Sequence, residues 1–279
     1  MSVDSLIDAA LSEDIGAGDH TSLACIDPAS SGEAFTLVKQ EGVIAGLHVA
    51  QRVFLKVDDG LRVTLSKNDG DRVAPGDRVM HVMGKQLSIL SAERTALNFI
   101  QRMSGIATLT ARYVKAIEGT KARLLDTRKT TPGWRELEKE AVRLGGGFNH
   151  RMGLHDMILI KDNHIAFCGG ITKAIELVRT YLDIHHLDLR IEVETRNMDD
   201  VRQVISSGSV DRIMLDNFNM EQLGEAVSQI CGQMETEASG GITLENVRQI
   251  ADTGIDYISV GAITHSAPAL DVSLEVVAV

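Results

Sequence analysis

From Ala122 to the C terminus, short apolar runs alternate with helical patterns, and this rhythm constrains the fold more than any other feature of the chain. Seven runs, ARLLD, GGFNH, MILIK, LRIEVE, RIMLD, ETEAS and DYISV, fall between residues 122 and 260. Helical spacing separates most of them, clearest at Ile171, Ile175, Val178 and Leu182 and again at Leu244, Val247 and Ile250. Strand-then-helix units pair in parallel, because the chain must cross over before it can run in the same direction again. Seven in succession predict a barrel or a nearly closed one.

Residues 1–105 lack that rhythm. EAFTLVKQ and LRVTLSKN alternate as strands do, HVAQRVFLKV between them has helical spacing, and NDGDRVAPGDRVMHVMG carries the Gly-Asp and Pro-Gly turns of small β structures. That last stretch is similar to lipoyl and biotinyl carriers but has no attachment lysine in a tight hairpin, so it reads as structural β. Ser88 is placed to cap a helix running to Met103, and Ser104-Gly105 reads as a break before a second helix through Leu109, Tyr113 and Ile117. The domain boundary is placed at that break. On residue type alone, Arg94 and Arg102 are solvated helix arginines.

Composition excludes several classes of function. The longest apolar runs fall short of the ~18 residues of a membrane span, and the start MSVDSLIDAALSEDIG is acidic where a signal peptide is basic. A cytoplasmic protein is expected. Three cysteines, Cys25, Cys168 and Cys231, form no C-x-x-C pair, which argues against a disulfide framework or a zinc-thiolate site. A net charge of −11 and a single Trp argue against nucleic acid.

Within this acidic chain, residues 121–164 are basic, with nine Lys and Arg against six acids. In a barrel, chemistry sits at the C-terminal ends of the strands. Those positions read Arg128-Lys129, His150-Arg151, Lys161, Glu194, Asp216, Ser239-Gly240-Gly241 and Gly261. Three loops can therefore converge their cations on one anion. Glu194 and Asp216 suit a magnesium-bound phosphate ester, a cationic transition state, or ion pairs with the neighbouring cations. SGGIT places a Gly-Gly turn before Thr243 as an N-cap, a site where free amides can meet a phosphate.

The segments DTRKTTPG, GGGFNHRMGLHDMILIKDNHI, IEVET, LDNF, EASGGIT and ISVGAIT resemble the quinolinate phosphoribosyltransferase family, densely from Ser88 onwards and more thinly before it. The resemblance implies an N-terminal α/β sandwich domain (1–105, joined by the tail 266–279) and an open seven-stranded α/β barrel (106–265). It implies transfer of phosphoribosyl from phosphoribosyl pyrophosphate to quinolinate with loss of CO2, giving nicotinate mononucleotide for NAD biosynthesis. It also implies a homodimer or a larger assembly of dimers. Arg128, Arg151 and Lys161 match the cations around quinolinate, with His150 nearby, and Arg102 matches an arginine supplied by the neighbouring subunit. Lys129, Thr130, Glu194 and Asp216 match residues around phosphoribosyl pyrophosphate, the two acids holding its Mg2+ directly or through water. Ser239, Gly240, Gly241 and Gly261 match the loops around the 5′-phosphate. A paralogous phosphoribosyltransferase of the same fold acting on another substrate, and a non-catalytic phosphate-binding barrel, are the other readings of these residues.

Overall fold

The computed structural model of the protein describes residues 2–277, which belong to two compact units. The first comprises Met1–Ala111, Thr130–Gly146 and Ala262–Val279. Its strands are β1 (Ser31–Val38), β2 (Gly42–Val43), β3 (Arg62–Leu65), β4 (Arg72–Val73), β5 (Arg78–Lys85) and, from the other end of the chain, β12 (Val272–Val276). They form an antiparallel sheet of order β12–β1–β5–β3 and a small β2–β4 pair. Alternation along β1 buries Ala34, Thr36 and Val38 on one face. The helix Leu47–Val57 buries Leu47, Val49, Ala50, Val53 and Phe54, the apolar stripe its spacing predicts.

The break expected at Ser104-Gly105 does not occur, and one helix runs unbroken over Gln86–Ala116. Both residues serve packing instead. Ser104 Oγ exchanges hydrogen bonds with the Ala45 backbone, accepting from N–H at 2.8 Å and donating to the carbonyl at 3.0 Å. A Cβ on Gly105 would lie 2.0 Å from the Pro268 carbonyl oxygen, so glycine is there for close backbone approach. Ser88 caps nothing, since the helix starts at Gln86; its hydroxyl donates to Asp58 at 2.7 Å.

The second unit comprises Arg112–Lys129 and Gly147–Gly261. Its strands are β6 (Arg123–Leu125), β7 (Ile158–Ile160), β8 (Ile191–Thr195), β9 (Arg212–Asp216), β10 (Glu235–Ser239) and β11 (Tyr257–Ser259), all parallel, in the order β6–β11–β10–β9–β8–β7. The expected strand at GGFNH is reduced to one parallel bridge, Leu125↔Phe148. The glycines leading into it are used otherwise: Gly145, just before it, closes the helix Arg135–Leu144, and Gly146 takes a left-handed φ of 88°. With Phe148 beside β6, the order is that of a barrel left open between Phe148 and β7; no ladder joins those two among the described residues.

Period-two alternation gives this barrel a polar interior. In β8, Ile191, Val193 and Thr195 alternate with Glu192 and Glu194, and all five are buried. Register sets Glu192 beside Arg212, Arg212 beside Glu235, Met214 beside Glu237, and Asp216 beside Ser239. Side chains of one parity therefore stack in layers up the barrel, as inward positions of such barrels do.

Candidate active site

A cavity of about 490 Å3 opens at the C-terminal ends of the second unit's strands. Four cations reach it on three segments: Arg128 and Lys129 after β6, Arg151 after the Phe148 bridge, and Lys161 at the end of β7. Lys161 Nζ lies 2.6 Å from Glu194 Oε2, and Arg196 is 3.9 Å from the other oxygen of the same carboxylate. The Lys161–Glu194 pair stands between the ends of neighbouring parallel strands, and an anion that binds Lys161 competes with Glu194 for it. Arg151 donates from Nη1 to the Met157 carbonyl at 3.2 Å. Burial, and then the Arg128 cation, hold the Arg151 guanidinium below its ordinary pKa.

On the opposite wall, Asp216 accepts from Asn217 Nδ2 at 2.9 Å, and Asn217 N–H donates to the Ser239 carbonyl at 2.8 Å. Gly240 has φ 90°, and a Cβ there would lie 2.3 Å from Asn217 Oδ1. Only glycine lets the Ser239–Gly241 loop close against Asn217. The helix that follows begins at Val247, not at Thr243, whose amide donates to Asn246 Oδ1 at 2.8 Å. The loop residues Ser239, Gly240 and Gly241, rather than a helix N-terminus, line the cavity.

The floor is formed in part by His150, Met214, Glu237 and Ser259. His150 Nε2 sits 3.0 Å from Glu192 Oε2 and 3.5 Å from Glu237 Oε2. Burial pushes the Glu192 carboxyl up to about 7, against the pull of Arg212. Burial, and then the Glu192 charge, push Glu237 up to about 7 as well. Beneath them Arg212 bonds Glu237 at 2.9 Å and Glu235 at 3.0 Å, with its guanidinium 3.9 Å from the Tyr257 ring centroid. One donor atom each from His150, Glu192 and Glu237 lies within 4.8 Å of the others, a spacing that suits a metal. Arg212 already supplies a cation to that carboxylate pair from within the chain.

Ten of the residues singled out from sequence line this cavity: Arg128, Lys129, His150, Arg151, Lys161, Glu194, Asp216, Ser239, Gly240 and Gly241. Gly261 is not part of its wall. Thr130 and Arg102 belong to the other unit. There Thr130 Oγ1 accepts from Arg135 Nε at 3.0 Å, and Arg102 is bound to the buried Glu138 at 2.9 Å and to the Thr264 and Ala267 carbonyls. Glu192, Arg212, Glu237, Ser259 and Asn217 went unnoticed in the sequence. The alternation of IEVET and ETEAS was the signal that pointed to the interior acids.

The sequence matches the N-terminal domain of quinolinate phosphoribosyl transferase over residues 19–104 and the C-terminal domain over 106–275. It is 48% identical to "quinolinate phosphoribosyltransferase [decarboxylating] 1b" of Nicotiana tabacum, over 97% of this chain and 81% of that protein. It is 43% identical to the "probable nicotinate-nucleotide pyrophosphorylase [carboxylating]" of Bacillus subtilis (strain 168), over 95% and 90% of the two chains. Among solved structures, the nicotinate-nucleotide pyrophosphorylase from Francisella tularensis superposes with a TM-score of 0.93 at 42% identity, covering 99% of this chain and 96% of that one. A cation-lined cavity at the open end of a parallel barrel, matched domains along nearly the whole chain and a shared fold lead to one conclusion: the chain belongs to the quinolinate phosphoribosyl transferase family.

Proposed function

We propose that this site transfers phosphoribosyl from phosphoribosyl pyrophosphate to the ring nitrogen of quinolinate and releases pyrophosphate and CO2, leaving nicotinate mononucleotide. The observation that carries the reading is the convergence of Arg128, Lys129, Arg151 and Lys161 on one cavity. Quinolinate bears two carboxylates beside its nitrogen, and arginine forks fix such a planar dianion in one orientation. Arg128 and Arg151 take that role, with Lys161 released toward the ligand from Glu194. The amides of Ser239, Gly240 and Gly241 hold the 5′-phosphate. As pyrophosphate leaves C1 of the ribose, positive charge grows on the sugar, and the carboxylates of Glu194 and Asp216 stabilise it. The pyridine nitrogen then bonds to C1. The quaternised ring draws electrons from C2, whose carboxylate leaves as CO2, and the electron pair left on C2 takes a proton from water to give the product. Positioning and electrostatics suffice for these steps, so no nucleophile on the protein is required.

Two oxygen-donor carboxylates at the cavity mouth suit a hard divalent cation. Glu194 and Asp216 would hold Mg2+ there, and the bound ion would supply charge neutralisation for the pyrophosphate leaving group. The protein works as a homodimer in the cytoplasm, with Arg102 serving the site of the partner subunit. Support for a dimer lies in the apolar surface of the barrel unit, where Phe167 is 92% exposed and Leu154, Leu177 and Ile184 are also exposed. No helix among the described residues is long and apolar enough to cross a membrane. The test is an assay with Mg2+, phosphoribosyl pyrophosphate and carboxyl-labelled quinolinate, with nicotinate in a parallel tube. Labelled CO2 and nicotinate mononucleotide in equal amounts from quinolinate alone are expected; turnover of nicotinate instead overturns the substrate.

A further inference from the structure

We propose that His150 is not a quinolinate ligand but an anchor, socketed between Glu192 and Glu237 so that its ring fixes the main chain at Arg151. The inference rests on the reaction assigned above for what Arg151 binds, and on geometry alone for the anchor. Residues 145–151 form no strand. Their backbone ties to β6 are Phe148 N–H to Leu124 at 2.8 Å and Asp126 N–H to Phe148 at 3.1 Å. A cation held at the end of so short a ladder needs another support. His150 supplies it: its own N–H donates to Asp126 Oδ1 at 2.8 Å, and its Nδ1 accepts the Arg151 N–H at 2.7 Å.

That second bond decides the tautomer. A nitrogen that accepts a backbone N–H carries its lone pair there and no proton, so the proton of the neutral ring is on Nε2. Nε2 faces Glu192 at 3.0 Å and Glu237 at 3.5 Å, in a side chain only 6% exposed. Nδ1 is thus committed to the main chain and Nε2 is enclosed by two buried carboxylates without a hydrogen bond of normal geometry, so the cavity meets the ring itself. The socket is rigid from below, since Arg212 holds Glu237 at 2.9 Å and is in turn tied to Glu235. Glu192 faces the ring on one side and the second buried carboxylate, Glu237, on another. It is fully buried, and no donor makes a hydrogen bond of normal geometry to either of its oxygens among the described residues. Facing His150 is the use its position supports. The charged groups around the ring include Glu192, Glu237 and Asp126, with Arg212 behind Glu237 and Arg151 next in the chain.

The experiment is nitrogen NMR of the intact protein labelled with 15N-histidine. The His150 signals are assigned by their loss in His150→Gln, which is needed because the chain has nine histidines. In ligand-free protein the anchor predicts a protonated Nε2 and an unprotonated Nδ1, and neither signal moves on saturation with quinolinate. A proton on Nδ1, or a ring signal that shifts as quinolinate binds, overturns it. The same anchor predicts that Glu237→Gln raises KM for quinolinate about tenfold while KM for phosphoribosyl pyrophosphate changes less than about twofold. Equal increases, or none, also overturn it. The ligand-free tautomer is measured without turnover, so an enzyme that ignored quinolinate but showed the predicted ring would sink the reaction and leave the anchor standing.

Discussion

Replacing Glu138 with glutamine tests how the N-terminal unit holds Arg102. The Glu138 carboxylate is fully buried and accepts from Arg102 Nε at 3.3 Å, Arg102 Nη2 at 2.9 Å, the Thr131 amide at 3.1 Å and the Thr131 hydroxyl at 2.8 Å. A glutamine keeps one acceptor and turns the other into a donor, so it faces donors on Arg102 or Thr131 with a donor of its own. Removing one partner of a buried ion pair costs about 3–5 kcal/mol. Here the Arg102 side chain is 27% exposed and keeps its bonds to the Thr264 and Ala267 carbonyls, which lowers the expected loss to about 2–3 kcal/mol. Urea unfolding of wild type, Glu138→Gln, Arg102→Met and the double variant forms a cycle, and its coupling energy should reach about 1.5 kcal/mol or more. A coupling below about 0.5 kcal/mol would refute the reasoning, because Glu138 would then be supporting Thr131 alone.

Arg151→Ala should raise KM for quinolinate by tenfold or more, from loss of at least one charged hydrogen bond worth about 1.5–3 kcal/mol, with a smaller effect on phosphoribosyl pyrophosphate; equal increases contradict the assignment. Inactive Arg102→Ala and inactive Lys161→Ala proteins should regain partial activity as mixed dimers, and failure in verified mixed dimers removes the shared site. Gly105→Ala should lower stability by about 1–3 kcal/mol or more in thermal unfolding, since its Cβ would meet the Pro268 carbonyl at 2.0 Å; an unchanged melting temperature would show that this contact yields. The Glu192–Glu237 pair should make stability fall as pH rises. Both carboxyls titrate near 7 in the folded chain against 4.5 for a free glutamate, so the folded state holds more protons between those values. That contribution is complete below about 4.5 and lost through about 7, roughly 3 kcal/mol for one shared proton. The difference in unfolding free energy between wild type and Glu192→Gln/Glu237→Gln measures it, and a difference flat from pH 5 to 8 would count against a shared proton.

The cations of the site were legible because barrel chemistry collects at strand ends, and Arg128, Arg151 and Lys161 each follow an apolar run. Six of the seven runs became strands for the same reason. GGFNH did not, because a run of glycines before Phe148 has no side chains to pack and is used to end a helix. Ser104-Gly105 misled in the opposite direction. A small pair inside a helix looks like a break, and only the neighbouring Ala45 and Pro268 backbones reveal it as a contact face. The interior acids were missed because attention to strand ends ignores the alternation within each strand, where Glu192 and Glu237 lie.

That alternation explains how a cavity can gather four cations before any substrate arrives. Burial, and then repulsion from Arg128, hold the Arg151 guanidinium below its ordinary pKa. Countercharge comes from two depths. At the mouth, Glu194 pairs with Lys161 at 2.6 Å, close enough to a ligand to be exchanged for it. Deeper, Glu192 and Glu237 sit below His150, with Glu237 bonded to Arg212 at 2.9 Å. An anion entering the cavity therefore replaces one carboxylate partner and leaves the lower layer as it was. The cations need no rearrangement to meet it, which is the form of electrostatic preorganisation that makes charge stabilisation effective in a buried site.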